Sequence, residues 1–155
     1  MPENIDVVLI TGSASDEEFV KPAGAILDEF GITWEQTALS AHRQPDALES
    51  YVNSAEGRGA KVFITAAGLS AALPGVVASR TLKPVIGIPV PGGPLKGVDA
   101  LLSIVQMPGG VPVATMGIGS HGPKNAALLA VQILSLADER LAQAFAEYRK
   151  RLGKR

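Results

Sequence analysis

Ile5-Asp6-Val7-Val8-Leu9-Ile10-Thr11-Gly12, followed at once by Ser13-Ala14-Ser15-Asp16, is the stretch that decides the fold. A continuous aliphatic and β-branched run that stops at glycine marks a strand covered on both faces, as in the middle of a parallel sheet. The next four residues supply hydroxyl and carboxylate oxygens where a helix must begin. Glu17 and Glu18 suit the positive end of that helix, and Phe19, Ala23, Ile26, Leu27 and Phe30 recur at helical spacing. A helix is expected over about residues 16–30, stopped by Gly31.

The same unit repeats downstream. Residues 32–39 alternate weakly, which suits a second strand near the sheet edge. Pro45 suits a first helical position, and Ala47, Leu48, Tyr51, Val52 and Ala55 form an apolar stripe that Gly57 and Gly59 end. Residues 61–68, 84–90 and 112–119 repeat the buried-strand pattern as strands three to five, with short helices over 74–80 and 98–106 between them. From 123 to about 152 the pattern is one long helix or two separated near Asp138. Buried parallel strands need right-handed helical crossovers, so the expected architecture is α/β: a three-layer sandwich on a five-stranded parallel sheet, with a C-terminal helix. The 155 residues read as a single domain, 1–155, with the basic tail from about residue 149 frayed.

Composition narrows the function. Hydrophobic residues make up 46% and charged residues 19%, enough to build a core and too few charges for a disordered tail. A net charge of −1 leaves no basic excess for nucleic acid. The absence of cysteine excludes disulfides, thiolate metal sites and cysteine nucleophiles. The acidic first residues and the short 7–10 apolar run fit neither an export signal nor a membrane span, so a cytoplasmic location is expected. Gly (17) and Pro (11) together exceed the roughly 19 of average usage, which points to functional or tight turns.

In such sheets ligands bind beyond the carboxyl ends of the strands, so the loops there carry the candidate chemistry. Ser13, Ser15 and Asp16 either cap the first helix or grip a phosphate and a sugar hydroxyl. Ser40-Ala41-His42-Arg43 collects a hydroxyl, an imidazole and a guanidinium in one turn: either a solvated loop, or a site where Arg43 forks onto phosphate and His42 moves a proton. Gly68, Ser70, Ala71, Ala72 and Leu73 lie in a small-residue segment that either packs a helix closely or lets backbone N–H groups approach a carboxylate or carbon dioxide beside a planar ring.

Other signatures are decoys or missing. Gly117-Ile118-Gly119-Ser120-His121-Gly122 matches the dinucleotide pattern GxGxxG, but no strand follows it to carry the ribose-binding acid, and His121 reads as an exposed loop residue. The sequence has no Walker loop, HExxH or GxSxG, and its two histidines are far apart in sequence, so no metal is expected.

Taken together, the Gly12–Asp16 and Ser40–Arg43 segments, Ala67-Gly68 through Leu73-Pro74-Gly75, Ser103-Ile104-Val105-Gln106-Met107-Pro108 and Gly110-Val111-Pro112-Val113-Ala114 resemble the 5-(carboxyamino)imidazole ribonucleotide mutase family of purine biosynthesis. The resemblance runs from about residue 5 to 136 with the motifs in order. It implies a flavodoxin-like fold, a homo-octamer, a ribonucleotide substrate and a cofactor-free transfer of a carboxylate from the exocyclic amine to a ring carbon. Carried over, Ser13, Ser40 and Arg43 would hold the phosphate, Asp16 the ribose and His42 the shuttled proton, while the 68–75 loop would cover the base and released carbon dioxide. Several residues depart from the mutase pattern. Ala72 stands where that family typically has His, Glu17 replaces a frequent aromatic, and Pro91-Gly92-Gly93 replaces a polar segment. Ser70, Ala72 and Pro123-Lys124-Asn125-Ala126-Ala127 lean toward the related carboxylase class that takes free carbon dioxide, whereas Arg43, Pro74 and Gly75 lean toward the mutase. A ribonucleotide-binding protein without catalysis is the third reading.

Overall fold

A computed structural model describes residues 4–154. The strands β1 (Val7–Thr11), β2 (Trp34–Ala38), β3 (Val62–Ala67), β4 (Val85–Pro89) and β5 (Ala114–Thr115) form one sheet in the order β2-β1-β3-β4-β5. Every pairing is parallel, with Val7 opposite both Trp34 and Val62, and Phe63 opposite Val85. Helices α1 (Glu17–Glu29), α2 (Pro45–Gly57), α3 (Leu73–Ala78), α4 (Val98–Val105) and α5 (His121–Ser135) follow the strands, and α6 (Glu139–Leu152) closes the chain. The flavodoxin-like sandwich expected from the sequence is the observed architecture.

Side chains alternate across the sheet, so each β1 face seeds its own core. Val7 and Leu9 pack with Val20, Leu27, Ala126 and Val131 beneath α1 and α5, while Val8 and Ile10 pack with Leu48, Val52, Leu73 and Ile104 beneath α2, α3 and α4. Helix α6 docks on the first layer through Phe30, Phe145 and Tyr148, whose ring centroids lie 5.6–6.3 Å apart.

Local signals explain the boundaries. Gly31 (φ +64) takes the left-handed conformation that ends α1, with its N–H bonding to the Asp28 carbonyl and that of Ile32 to Leu27. Gly59 (φ +99) ends α2 in the same way, while Gly57 remains inside the helix. Asp138 Oδ1 accepts from the Leu141 N–H at 3.2 Å, so the C-terminal pattern is two helices rather than one. The basic tail is helical as far as Leu152, and Arg151 pairs with Glu29 at 2.7 Å; Arg155 lies outside the described residues.

The fifth strand corrects the sequence reading. Residues 112–119 carry a buried-strand pattern, yet only Ala114–Thr115 pair with β4, and Ala114 is exposed. β5 is an edge with one neighbour, Pro112 has no N–H to donate, and Gly119 (φ +99) turns the chain into α5. His121 is exposed as expected, but it opens α5 instead of lying in the loop.

At the β2 edge, Glu35 bonds to both Arg58 at the end of α2 and the Tyr51 hydroxyl (2.5 Å) within it. Arg58 holds the Glu35 carboxyl below its ordinary value, and the cluster ties α2 to the strand whose carboxyl end leads into the 39–44 loop.

Candidate functional site

The chain steps from β1 outward to β2, then returns to place β3 on the other side of β1, so loops leave β1 and β3 in opposite directions across a switch point. A cavity of about 610 Å³ lies there. Ser13, Ser15, Asp16, Ser40, His42, Arg43, Gly68, Ser70, Ala71, Ala72 and Leu73, drawn from three separate stretches of sequence, all line it.

Ser40 organises the β2–α2 loop. Its buried Oγ accepts from the Arg43 backbone N–H at 3.3 Å and from Arg43 Nε at 3.4 Å. Gln44 closes the turn: its N–H bonds to the Ser40 carbonyl at 2.8 Å, and its Oε1 accepts from the Ser40 N–H at 3.2 Å. The Arg43 guanidinium is therefore held by one nitrogen, and its two terminal nitrogens have no protein partner among the described residues. The Ser40 hydroxyl, having accepted both bonds, keeps its own proton for a ligand. The His42 ring is exposed, lines the cavity and makes no hydrogen bond to protein among the described residues. The sequence reading gave Gln44 no role; its signal is the four-residue spacing from Ser40 immediately before a Pro-started helix.

The first loop resolves the choice between capping and binding residue by residue. Ser13 does cap: its Oγ accepts from the Ser15 N–H (3.3 Å) and hydroxyl (2.9 Å), closing a 3₁₀ turn over Ala14–Asp16. Asp16 occupies the N-cap position of α1 but makes no side-chain capping bond. Burial pushes its carboxyl above the ordinary 3.8, and hydrogen bonds from Ser15 and Ser13 offset that only in part. It is the sole carboxylate side chain lining the cavity among the described residues, opposite in sign to Arg43.

The third loop contributes small side chains, a hydroxyl and Leu69, which the 68–75 segment already included. The wall is completed by Pro91, Gly92 and Gly93, noted in the sequence as a departure from the mutase pattern, and by Val90, which the sequence reading did not place in the site. Among the described residues, no group of three or more His, Asp or Glu side chains is placed to hold a metal ion, and no helix is long and apolar enough to cross a membrane.

A parallel sandwich with a hydroxyl-, imidazole-, guanidinium- and carboxylate-lined cavity at its switch point has the form of a small-molecule site of the α/β class. The family is more specific: the AIR carboxylase model matches residues 6–155, and the chain belongs to that family. It is 54% identical over 144 residues to the N5-carboxyaminoimidazole ribonucleotide mutase of Bacillus subtilis, covering 93% of this chain and 89% of that protein. To the mutase of Saccharolobus solfataricus it is 51% identical over 142 residues, covering 92% and 89%. The crystal structure of Treponema denticola PurE superposes with a TM-score of 0.87 at 32% identity, covering 96% of this chain and 91% of that one.

Because the folded state raises the Asp16 pKa, this group favours folding when protonated, and that contribution is lost as pH rises through the folded value. Asp16→Asn is expected to raise the urea midpoint modestly at about pH 7, with the gain vanishing near about pH 3, where the unfolded carboxyl is protonated too. A lower midpoint at neutral pH would contradict the assignment of burial as the dominant influence.

Proposed function

We propose that this chain is an N5-carboxyaminoimidazole ribonucleotide mutase, moving a carboxylate from the exocyclic amine to ring carbon 4 of the aminoimidazole. The observation that carries the reading is the convergence of His42, Arg43, Ser40 and Asp16 on one cavity in a chain about half identical to mutases over nearly its whole length. One catalytic domain, cytoplasmic and free of cofactors, is the unit this reading implies.

The charge layout orients the substrate. Arg43 offers two terminal nitrogens beside the N-terminus of α2, a 13-residue helix, which suits a phosphate. The Asp16 carboxylate makes no capping bond to α1, keeps acceptor capacity beyond its bond from Ser15, and suits the ribose hydroxyls, whose hydrogen bonds replace the hydration that burial removed. Glu17 and Glu18 in the first turn of α1 repel a phosphate from the far end of the first loop, so the nucleotide lies with its phosphate toward Arg43 and Ser40, joined by the Ser13 hydroxyl, and its sugar toward Asp16 and Ser15. The base then reaches the segment of Gly68, Ser70, Ala71, Ala72 and Leu73.

The chemistry needs a proton in two places. The carbamate N–C bond breaks, returning its electron pair to nitrogen, and carbon dioxide forms while the amine gains a proton. The ring carbon attacks the carbon dioxide, and the ring hydrogen leaves as a proton. One imidazole can give the first proton and take the second, and His42 is that imidazole. Holding carbon dioxide against the ring replaces a bimolecular encounter by one with an effective concentration far above that of the dissolved gas.

Assembly as a homo-octamer has a physical footing in α4, whose Val98, Leu102 and Val105 are half exposed along one face (50%, 53% and 48%), joined by Leu95. The light-scattering mass of the purified protein is expected to be that of eight chains; a monomer contradicts it.

Purified protein given the carbamate is expected to form the ring-carboxylated product without ATP or added metal, and far faster than from aminoimidazole ribonucleotide plus bicarbonate. His42→Asn is expected to lower kcat by about 10²–10⁴ while KM stays within severalfold. Equal rates from the two carbon sources would favour the carboxylase, and an active His42→Asn variant would remove the proton shuttle.

A further inference from the structure

We propose that Leu69 is a positioning residue: seated against Gly93, it latches the β3–α3 loop to the β4–α4 loop and seals the cavity against loss of carbon dioxide released during transfer. The proposal rests on the mutase reading above.

Leu69 has φ +52, in the left-handed region that glycine occupies freely and leucine does not. Apart from Lys96, it is the only non-glycine residue with positive φ among the described residues. It is also 56% exposed, so burial of the leucine in the core does not account for the strain. Conformations of this kind persist where the surroundings over-determine them.

What Leu69 touches supplies the reason. A Cβ built on Gly93 would lie 2.7 Å from Leu69 Cδ2, so the leucine methyl occupies the space a side chain there would need. Gly93 is itself left-handed (φ +60), and the loop beyond it is folded tightly: the Lys96 N–H bonds to the Gly93 carbonyl at 3.3 Å, and a Cβ on Gly97 would stand 3.0 Å from Pro91 Cα. At their roots the two loops are already joined, because the Val90 N–H bonds to the Ala67 carbonyl at 2.9 Å and a Cβ on Gly68 would meet the Val90 carbonyl at 3.4 Å. The Leu69–Gly93 contact extends that junction outward, and both residues line the cavity.

The apolar character of the contact fits what it retains. Carbon dioxide is neutral and is lost by diffusion or by hydration, so its retention calls for a wall that excludes water rather than one that binds charge. Capture by the ring carbon forms the new C–C bond and expels the ring proton. Escape leaves free carbon dioxide and aminoimidazole ribonucleotide. The latch thus controls how the intermediate partitions.

The test follows both products from the carbamate, with uncatalysed decay subtracted, in wild type, Leu69→Gly, Leu69→Met, Gly93→Ala and the Leu69→Gly/Gly93→Ala double variant. Glycine relieves the backbone at position 69, so the denaturant midpoint of Leu69→Gly is expected not to fall. The share of consumed carbamate released as the free amine is expected to rise severalfold in Leu69→Gly and in Gly93→Ala, and to stay near wild type in Leu69→Met. Gly93→Ala is expected to add far less once Leu69 is gone, because the clash with Leu69 Cδ2 is absent and only the backbone strain at φ +60 remains. An unchanged share in Leu69→Gly, additive effects in the double variant, or loss of turnover without extra amine would overturn the latch. Failure of the mutase reading has a different signature, since wild type itself would then make no ring-carboxylated product.

Discussion

Parallel strands can be joined only by crossovers, and this constraint puts every strand-to-helix loop of the molecule at one end of the sheet, beyond the carboxyl ends of the strands. The reversal of strand order between β1 and β3 then opens a gap among those loops. Hydroxyl, imidazole, guanidinium and carboxylate groups that lie far apart along the chain meet there because of topology, before any side chain is chosen. The two cores keep the frame still: alternate β1 residues feed opposite layers, so the first loop is anchored from both faces.

Within that frame the loops divide the work by polarity. The 40–44 loop is rigid because Ser40 is buried and bonded to both Arg43 and Gln44, which presents the guanidinium already oriented. The first loop keeps one carboxylate at some electrostatic cost, visible in the raised pKa of Asp16. The third and fourth loops are small or apolar and supply shape and dryness rather than charge. Charged groups on one part of the wall and apolar ones on the other suit a phosphoribosyl compound whose reacting group passes through a neutral gas.

Much of this was legible in the sequence, for identifiable reasons. Strands β1, β3 and β4 show as uninterrupted aliphatic runs because they are buried on both faces, and Gly31 and Asp138 mark helix ends by local chemistry alone. β5 misled because its pattern is that of a strand, while its length is set by having a single neighbour and a proline at its start. The clustering of Ser13, Asp16, Ser40, His42 and Arg43 followed from strand-end placement and from resemblance. Local sequence gave no hint that Ser13 rather than Asp16 makes the cap, because a capping bond depends on the turn actually formed. The Leu69–Gly93 contact joins residues on different crossovers and is a property of tertiary packing alone.

The central claim is that one cavity holds both the ribonucleotide and the carboxyl carbon from the breaking of one bond to the making of the next. It is tested most directly by supplying carbamate labelled with ¹³C at the carboxyl, in a large excess of unlabelled bicarbonate, and reading the label in the product by mass spectrometry. Confinement predicts that the product carboxylate retains the label almost fully. Dilution of the label to the level of the surrounding pool would mean that the carbon leaves the protein between the two steps, and would contradict the account.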